Sequence, residues 1–308
     1  MLTADYEKST VTDYFLSLTE RVEASMLAAC VASRSGSNPA LDAVVQHLKA
    51  GGSRLRSRLC LSASLRLGLV EADAVCLAST CELLHNASLV QDDLMDRASM
   101  RRGQTSAWAF FGQETAVLAG DLMLSAAYAS LVAFSDARRL PELLRLVHNR
   151  TSEVILGQAS EKASDNKEIR TLTEYEILAR GKSFSLLALP LELPLSASGL
   201  HHYLEAAQEI AGAFSVAYQI ADDLEDVQED AASGTLNIVG VLSCDGLHSL
   251  GSARTVARER ACELLRTAVA RAAPLPNACA SVMISHARSL LDQLATIEFE
   301  PLAVKEQT

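Results

Sequence analysis

The sequence predicts an all-α protein, a single domain of roughly ten helices. Three observations predict it. Ala and Leu are abundant in a composition that is 49% hydrophobic and 21% charged, and both residues lose little rotamer freedom in a helix. Long β-branched runs are absent. Apolar residues recur at helical spacing along nearly all of the 308 residues.

Taken in order, the periodic stretches are about 11–33, 40–50, 53–68, 73–96, 106–134, 141–162, 173–189, 201–230, 251–272 and 277–296. The breaks between them carry turn chemistry. "SGSNP" (35–39) and "KAGGS" (49–53) frame the second stretch, and "SDNKE" (164–168) follows the sixth. "LPLSASG" (193–199) closes the seventh, and "APLPN" (273–277) precedes the last. None is long enough for an interdomain linker, so residues 1–308 are expected to form one domain, with tails at 1–10 and 298–308.

A net charge of −11 argues against a general nucleic-acid surface. No basic region precedes an apolar run at the N-terminus, and no stretch is expected to reach the ~18–20 apolar residues of a membrane span. The seven cysteines are odd in number and lack CxxC spacing, as expected of buried reduced thiols in a cytoplasmic protein.

The chemistry concentrates in "HNASLVQDDLMDRASMRRGQ" (85–104) and its echo "AYQIADDLED" (217–226). Asp92, Asp93 and Asp96 fall at about 0°, 100° and 40° around a helix, all on one arc. Asp222, Asp223 and Asp226 repeat the pattern. Two carboxylates one turn apart repel by about 0.7 kcal/mol in water and about 3 kcal/mol at an effective dielectric of ~20. A solvated acidic helix end is therefore tolerable, but each triad ends a helix apolar enough to be core. Hard oxygen ligands at this spacing suit Mg²⁺, which keeps several waters and adds phosphate oxygens. The twelve-residue calcium-loop pattern is missing.

Arg101 and Arg102 follow the first triad, and adjacent guanidiniums beside a metal cluster call for a polyanion such as phosphate. "GGSRLRSR" (51–58) adds Arg54, Arg56 and Arg58 at a glycine-led helix start that favours an anion, although such a run taken alone is more often a solvated basic face. His85 lies two turns before Asp92 on the same face. A lone His on an apolar helix is commonly a satisfied core residue. Lys182, in "GKSF" (181–184), stands in an otherwise apolar helix and must snorkel or meet an anion.

Together with "LAGDLML" (118–124) and "GQASE" (157–161), these motifs closely resemble the trans-isoprenyl diphosphate (polyprenyl) synthases over about residues 45–240. The resemblance implies a bundle of roughly ten core helices around a central cavity, as a homodimer. It implies that Asp92, Asp96 and Asp222 ligate three Mg²⁺ ions on an allylic diphosphate, assisted by Asp93, Asp223 and Asp226. Arg101 and Lys182 would bind that diphosphate; Arg56, His85 and Arg102 would bind isopentenyl diphosphate. Gln219 and the carbonyl side of Lys182–Ser183 would face the allylic cation, with Gln158 nearby. Lys182, Gln219, Asp92 and Asp222 would thus carry the catalysis.

Two lysines of the family pattern are replaced. Ser53 stands where GGKRxRP has Lys, with Ser57 at the Pro, and Ser233 in "ASGTLN" (232–237) stands where GKxTLP has Lys. Arg54 or Arg58 is a candidate to compensate for the first loss, and nothing obvious replaces the second. A chain-elongating synthase is the favoured reading, with geranylgeranyl, farnesyl or longer product. A class I terpene synthase or irregular prenyl coupler, and a non-catalytic subunit tuning another synthase, remain alternatives. In the family it resembles, bulky aromatics at the positions of Ala87 and Ser88 stop the chain near fifteen carbons, so the resemblance implies that these small residues leave the tunnel open, with Leu84, or Met123, Leu124 and Tyr128, as a deeper floor.

Overall fold

Asn38 shows how the chain begins a helix. Its side chain accepts from the N–H groups of Ala40 and Leu41, and Pro39 fills the first helical position, where no N–H is needed. The computed structural model describes residues 2–31, 38–163, 169, 171–244 and 249–296, and within these leaves out the side chains of 2–13, 160–163, 182 and 233. The chain divides into two units, one of Met1–Thr151, Leu189–Leu204 and Pro276–Ala280, the other of Ser152–Ala188, Glu205–Leu275 and Ser281–Thr308.

The first unit contains α1 (Leu2–Cys30), α2 (Pro39–Lys49), α3 (Leu55–Arg66), α4 (Glu71–Met95), a ribbon of β1 (Met100–Arg101) and β2 (Gln104–Thr105), α5 (Ala107–Phe111), α6 (Gln113–Ser130) and the start of α7 (Leu140–Ala163). Its centre is α4. Every residue from Asp73 to Leu84 is buried, and the helix packs against α1, α3 and α6. A helix apolar all round belongs inside a bundle, and this one carries the first aspartate triad out of that interior at its C-terminal end.

The second unit takes the rest of α7, then α8 (Leu172–Ala197), α9 (Leu204–Glu225), α10 (Val227–Ser233), α11 (Ile238–Ser243), α12 (Leu250–Ala272) and α13 (Ser281–Thr296), apart from the residues 189–204 that fall in the first. On α12 a seam of Ala253, Ala257, Ala261, Leu265, Ala268 and Ala272 is buried. Small residues at four-residue spacing let α11 and α13 pack closely there.

Several boundaries differ from expectation. α1 begins at Leu2, not near residue 11. The single helix expected over 106–134 is broken at Gly112, whose φ of 91° no helix accommodates. The stretch 201–230 resolves into a 3₁₀ turn at His201–Tyr203, then α9 and α10 meeting at Asp226. α11 and the ribbon were too short to leave a periodic signal. Conversely, α8 runs eight residues past its expected end, through Pro190 and Pro194. An internal proline costs about 3 kcal/mol, yet Leu189, Leu191, Leu193 and Leu195 are all fully buried, and Glu192 meets Arg150 in a two-pronged buried ion pair at 2.7 and 2.5 Å. Burial outweighs the lost hydrogen bonds.

The loop at 164–168 and the tail at 298–308 lie outside the described residues. Two cysteines depart from the buried pattern: Cys244 is exposed and Cys262 half-buried. The membrane expectation also needs correction, because Gln113–Ala133 is long and apolar enough to cross a bilayer by length and composition. Here 44% of that apolar window is buried, and α6 packs on α1, α2, α4 and α5.

Candidate active site

The first aspartate triad closes α4, with Asp92 half-buried, Asp96 exposed and Asp93 turned into the protein. Arg101, on β1, donates from Nε and Nη2 to Asp93 Oδ1 at 2.8 and 2.5 Å, which leaves Asp93 Oδ2 buried without a hydrogen bond. Burial drives this carboxyl above its usual range, against the pull of Arg101. Arg101 reaches Asp93 because the ribbon reverses in two residues, Arg102 and Gly103, both at positive φ, as a tight hairpin requires. Trp108 clips the loop by donating to the Ala98 carbonyl at 2.8 Å, with the Arg97 guanidinium over its ring.

Arg102 donates to the carbonyl of Gly51. Gly52 has a φ of 126°, which favours glycine, and a Cβ there would push the Arg102 guanidinium aside from 2.5 Å. α3 then begins from Arg54 in the left-handed region, with no side-chain cap of its own. Glu82 supplies one from α4, accepting the Ser57 N–H at 3.0 Å. Arg54 is buried: it donates to Glu23 at 2.9 Å and to the Leu48 carbonyl at 2.7 Å, and lies 3.7 Å from Glu82. The guanidinium expected to stand in for a substrate-facing lysine is thus committed inside the fold, while Ser53 and Arg58 are exposed.

Arg56 and His85 are brought together, Nη1 to Nε2 at 3.0 Å. Arginine can only donate, so Nε2 accepts and the His85 proton sits on Nδ1. Burial, then Arg56 and Arg102, hold His85 well below its usual range. His47, bonded to Asn86 at 3.1 Å, is lowered to about 4 by burial and by Arg102. Burial and the neighbouring Arg54 also disfavour the charge on Arg102. Two neutral histidines crowded by guanidiniums make a region that an anion would relieve. Deeper on α4, Leu84, Ala87 and Ser88 are buried, with Ser88 donating to the His85 carbonyl at 2.8 Å; Tyr128 is half-buried on α6.

In the second unit, Asp222 and Asp226 are exposed and Asp223 is 4% exposed. The protein behind Asp222, then Asp226 and Asp223, push its carboxyl upward. Asp223 accepts from Tyr175 Oη at 2.8 Å, from the Ile238 N–H at 2.8 Å and from Gln219 Nε2 at 2.9 Å. Asn237 donates to the Asp223 carbonyl at 2.7 Å and to Asp230 at 2.8 Å. Gly157 lies 3.1 Å (as a Cβ) from the Gly181 carbonyl, so α7 and α8 touch next to half-buried Gln158 and Ser183. Lys182 lies on α8 and Ser233 ends α10; both side chains are outside the description.

Sequence reasoning missed Glu82, His47, Asn86, Tyr175 and Asn237. Glu82 stood three residues before His85 and Tyr175 seven before Lys182, on the same helix faces, which is the signal that could have found them.

Among the described residues, no three His, Cys, Asp or Glu side chains form a ready-made metal cage. Mg²⁺ does not need one, since it takes one or two carboxylates and completes its shell with water and phosphate. The donor set fits: each triad offers carboxylates from consecutive turns, and Asp93 Oδ2 is a buried oxygen lacking a hydrogen bond.

A family model described as Polyprenyl synthetase matches residues 38–237. The chain belongs to the polyprenyl synthetase family. Relatives include Geranylgeranyl pyrophosphate synthase 11, chloroplastic, of Arabidopsis thaliana, 31% identical over 80% of this chain and 74% of that one. The All-trans-nonaprenyl-diphosphate synthase (geranyl-diphosphate specific) of Rhodobacter capsulatus is 33% identical over 62% of this chain and 58% of its own length. Among solved structures, the geranylgeranyl pyrophosphate synthetase of the archaeon Geoglobus acetivorans superposes with a TM-score of 0.81 at 23% identity, covering 91% of this chain and 99% of that one. That likeness carries the all-α polyprenyl synthetase fold.

Proposed function

We propose that the protein is a trans-prenyltransferase that condenses isopentenyl diphosphate head-to-tail with an allylic diphosphate, giving geranylgeranyl diphosphate or a chain of neighbouring length. The observation that carries this is the pair of DDxxD motifs, each closing a buried helix, in a chain of this family. Asp92, Asp96 and Asp222 would hold three Mg²⁺ ions, with Asp93, Asp223 and Asp226 supporting them. When bound, Mg²⁺ neutralises the charge that develops on the departing diphosphate.

The chain's own residues divide the remaining work. Arg101 and Lys182 would bind the allylic diphosphate, and Arg56, His85 and Arg102 the acceptor diphosphate; bidentate guanidiniums suit both. The Arg56–His85 contact supports this division, because it aims a guanidinium and a neutral imidazole at one place. Ser183 and Gln219 would present oxygen to the allylic cation, with Gln158 close by, while buried side chains keep water from it. The structural use of Arg54 leaves the acceptor site one cation poorer than the family pattern, so weak isopentenyl diphosphate binding is expected. We propose a cytoplasmic homodimer, in keeping with the apolar residues α6 exposes.

The test is turnover of labelled isopentenyl diphosphate with Mg²⁺ and each of the dimethylallyl, geranyl and farnesyl primers. Elongated trans products support the proposal. Primer consumption without incorporation of label would assign a terpene synthase or irregular coupler instead. Turnover only in the presence of a second synthase would assign a modulating subunit.

A further inference from the structure

Asp223 belongs to the second aspartate motif, yet its carboxylate is buried and three of its roughly four acceptor positions are taken by donors of the protein. Oδ2 accepts from both Tyr175 Oη and the Ile238 N–H at 2.8 Å, and Oδ1 accepts from Gln219 Nε2 at 2.9 Å. The residue is 4% exposed, whereas Asp222 and Asp226 on either side of it are exposed. Three donors meet it from three directions: Tyr175 from α8, Gln219 from one turn earlier on α9, and Ile238 from the start of α11.

The consequence falls on Gln219. A side-chain amide has a donor end and an acceptor end, and nothing in the residue itself decides which way it lies. A carboxylate only accepts, so Asp223 takes the NH₂ end and Oε1 becomes the end turned from it. A carbonyl oxygen stabilises a nearby carbocation, and an amide N–H opposes one. We propose that Asp223 is a positioning residue rather than a magnesium ligand: it fixes the Gln219 amide so that its carbonyl, not its NH₂, faces the allylic cation. This rests on the proposed ionisation of an allylic diphosphate and adds the device that sets the sign of one dipole in that reaction.

The hydrogen-bond pattern dictates what a substitution would do. In Asp223→Asn, two donors, Tyr175 and Ile238, require an oxygen at the Oδ2 position, so the new NH₂ must occupy the Oδ1 position. There it faces the Gln219 NH₂. The glutamine turns over and presents N–H to the cation. Expected is a kcat lower by about 10- to 100-fold with little change in either substrate KM. Adding Gln219→Glu restores a donor–acceptor match with inverted polarity, since the introduced asparagine then donates to the introduced glutamate and an oxygen again faces the cation. The double variant is expected to recover most of the lost kcat, while Gln219→Glu alone, which sets two carboxylates against each other, is impaired.

A second readout is independent of turnover. Binding of Mn²⁺ with inorganic pyrophosphate, followed by electron paramagnetic resonance, is expected to match wild type in Asp223→Asn and to weaken in Asp222→Asn. If Asp223→Asn loses Mn²⁺ affinity, or the double variant recovers nothing, the inference is overturned although the enzyme assignment stands. An inactive wild type would instead sink the functional reading. Should Asp223→Asn misfold, Gln219→Leu removes the amide and leaves Asp223 with its Tyr175 and Ile238 bonds. A kcat lower by about 10-fold or more with unchanged Mn²⁺ binding supports the inference, and an unchanged kcat or an altered metal affinity overturns it.

Discussion

Ala87 occupies a buried place on α4, five residues before Asp92, where a larger side chain has nowhere to go but inward. Overpacking costs about 1–3 kcal/mol where the surroundings cannot yield; if the site lines the product tunnel, the added ring occupies tunnel space instead. Ala87→Phe is therefore expected to shorten the main product by at least one isoprene unit with a small loss of stability, read by chromatography of dephosphorylated products. An unchanged product length with a large fall in urea midpoint would place Ala87 in the core alone. His47 carries a prediction of a different kind. Its folded pKa of about 4 lies below the unfolded value near 6.5, so the unfolded chain binds the extra proton between those limits. The stabilisation from keeping the ring neutral is complete above pH 6.5 and is lost as pH falls toward 4, by up to about 3 kcal/mol. His47→Gln, which can still donate to Asn86, is expected to flatten this acid-side loss; equal pH dependence in the two proteins would show that other groups govern it.

The start of α3 shows an element whose stability is held by a neighbour. Its first turn has no cap from its own sequence, and Glu82 on α4 satisfies Ser57 N–H while offsetting buried Arg54. Glu82→Ala leaves a buried guanidinium short of its counter-charge and an N–H without an acceptor, at an expected cost of about 3–5 kcal/mol. Glu82→Gln keeps the acceptor and is expected to cost less. Urea unfolding checks both, and an alanine variant within experimental error of wild type would refute the remote cap. The same element marks the limit of what the sequence revealed. Long helices such as α4 and α9 were legible because one period repeats over many turns, and the clustering of aspartates at their ends because those residues share a face, whereas His85 and Arg56 were joined only by the family resemblance. Glu82, His47 and Tyr175 were illegible because a buried, partnered polar side chain has the same letter as a solvated one. Only the contact across helices distinguishes them. Pro190 misled for a related reason: local preference signalled an end, and the burial of Leu189–Leu195 overrode it.

At the scale of the assembled molecule, α6 poses the remaining question. It is buried on one side against four helices, yet its outer side exposes Val117 at 47% and Leu118 at 57%, with Phe110 just before it at 65% and Val132 just after it at 78%. Exposed apolar side chains gathered on and beside one helix are costly to leave in water, at about 25 cal/mol per Å², even though Glu114 and Asp121 are exposed on the same helix. A second copy of the chain covers such a cluster economically, because a two-fold axis brings the same residues onto themselves and every contact is made twice. The same symmetry makes the prediction sharp. Val117→Glu with Leu118→Glu adds two carboxylates to each chain, hence four at one interface, where like charges meet with little water between them. Glutamate is a good helix former, so α6 itself is expected to survive, as circular dichroism would show. Sedimentation is expected to give a dimer of 32.9 kDa chains for wild type and a monomer for the variant. A variant that stays dimeric would move the interface elsewhere, and a monomeric wild type would remove the need for one.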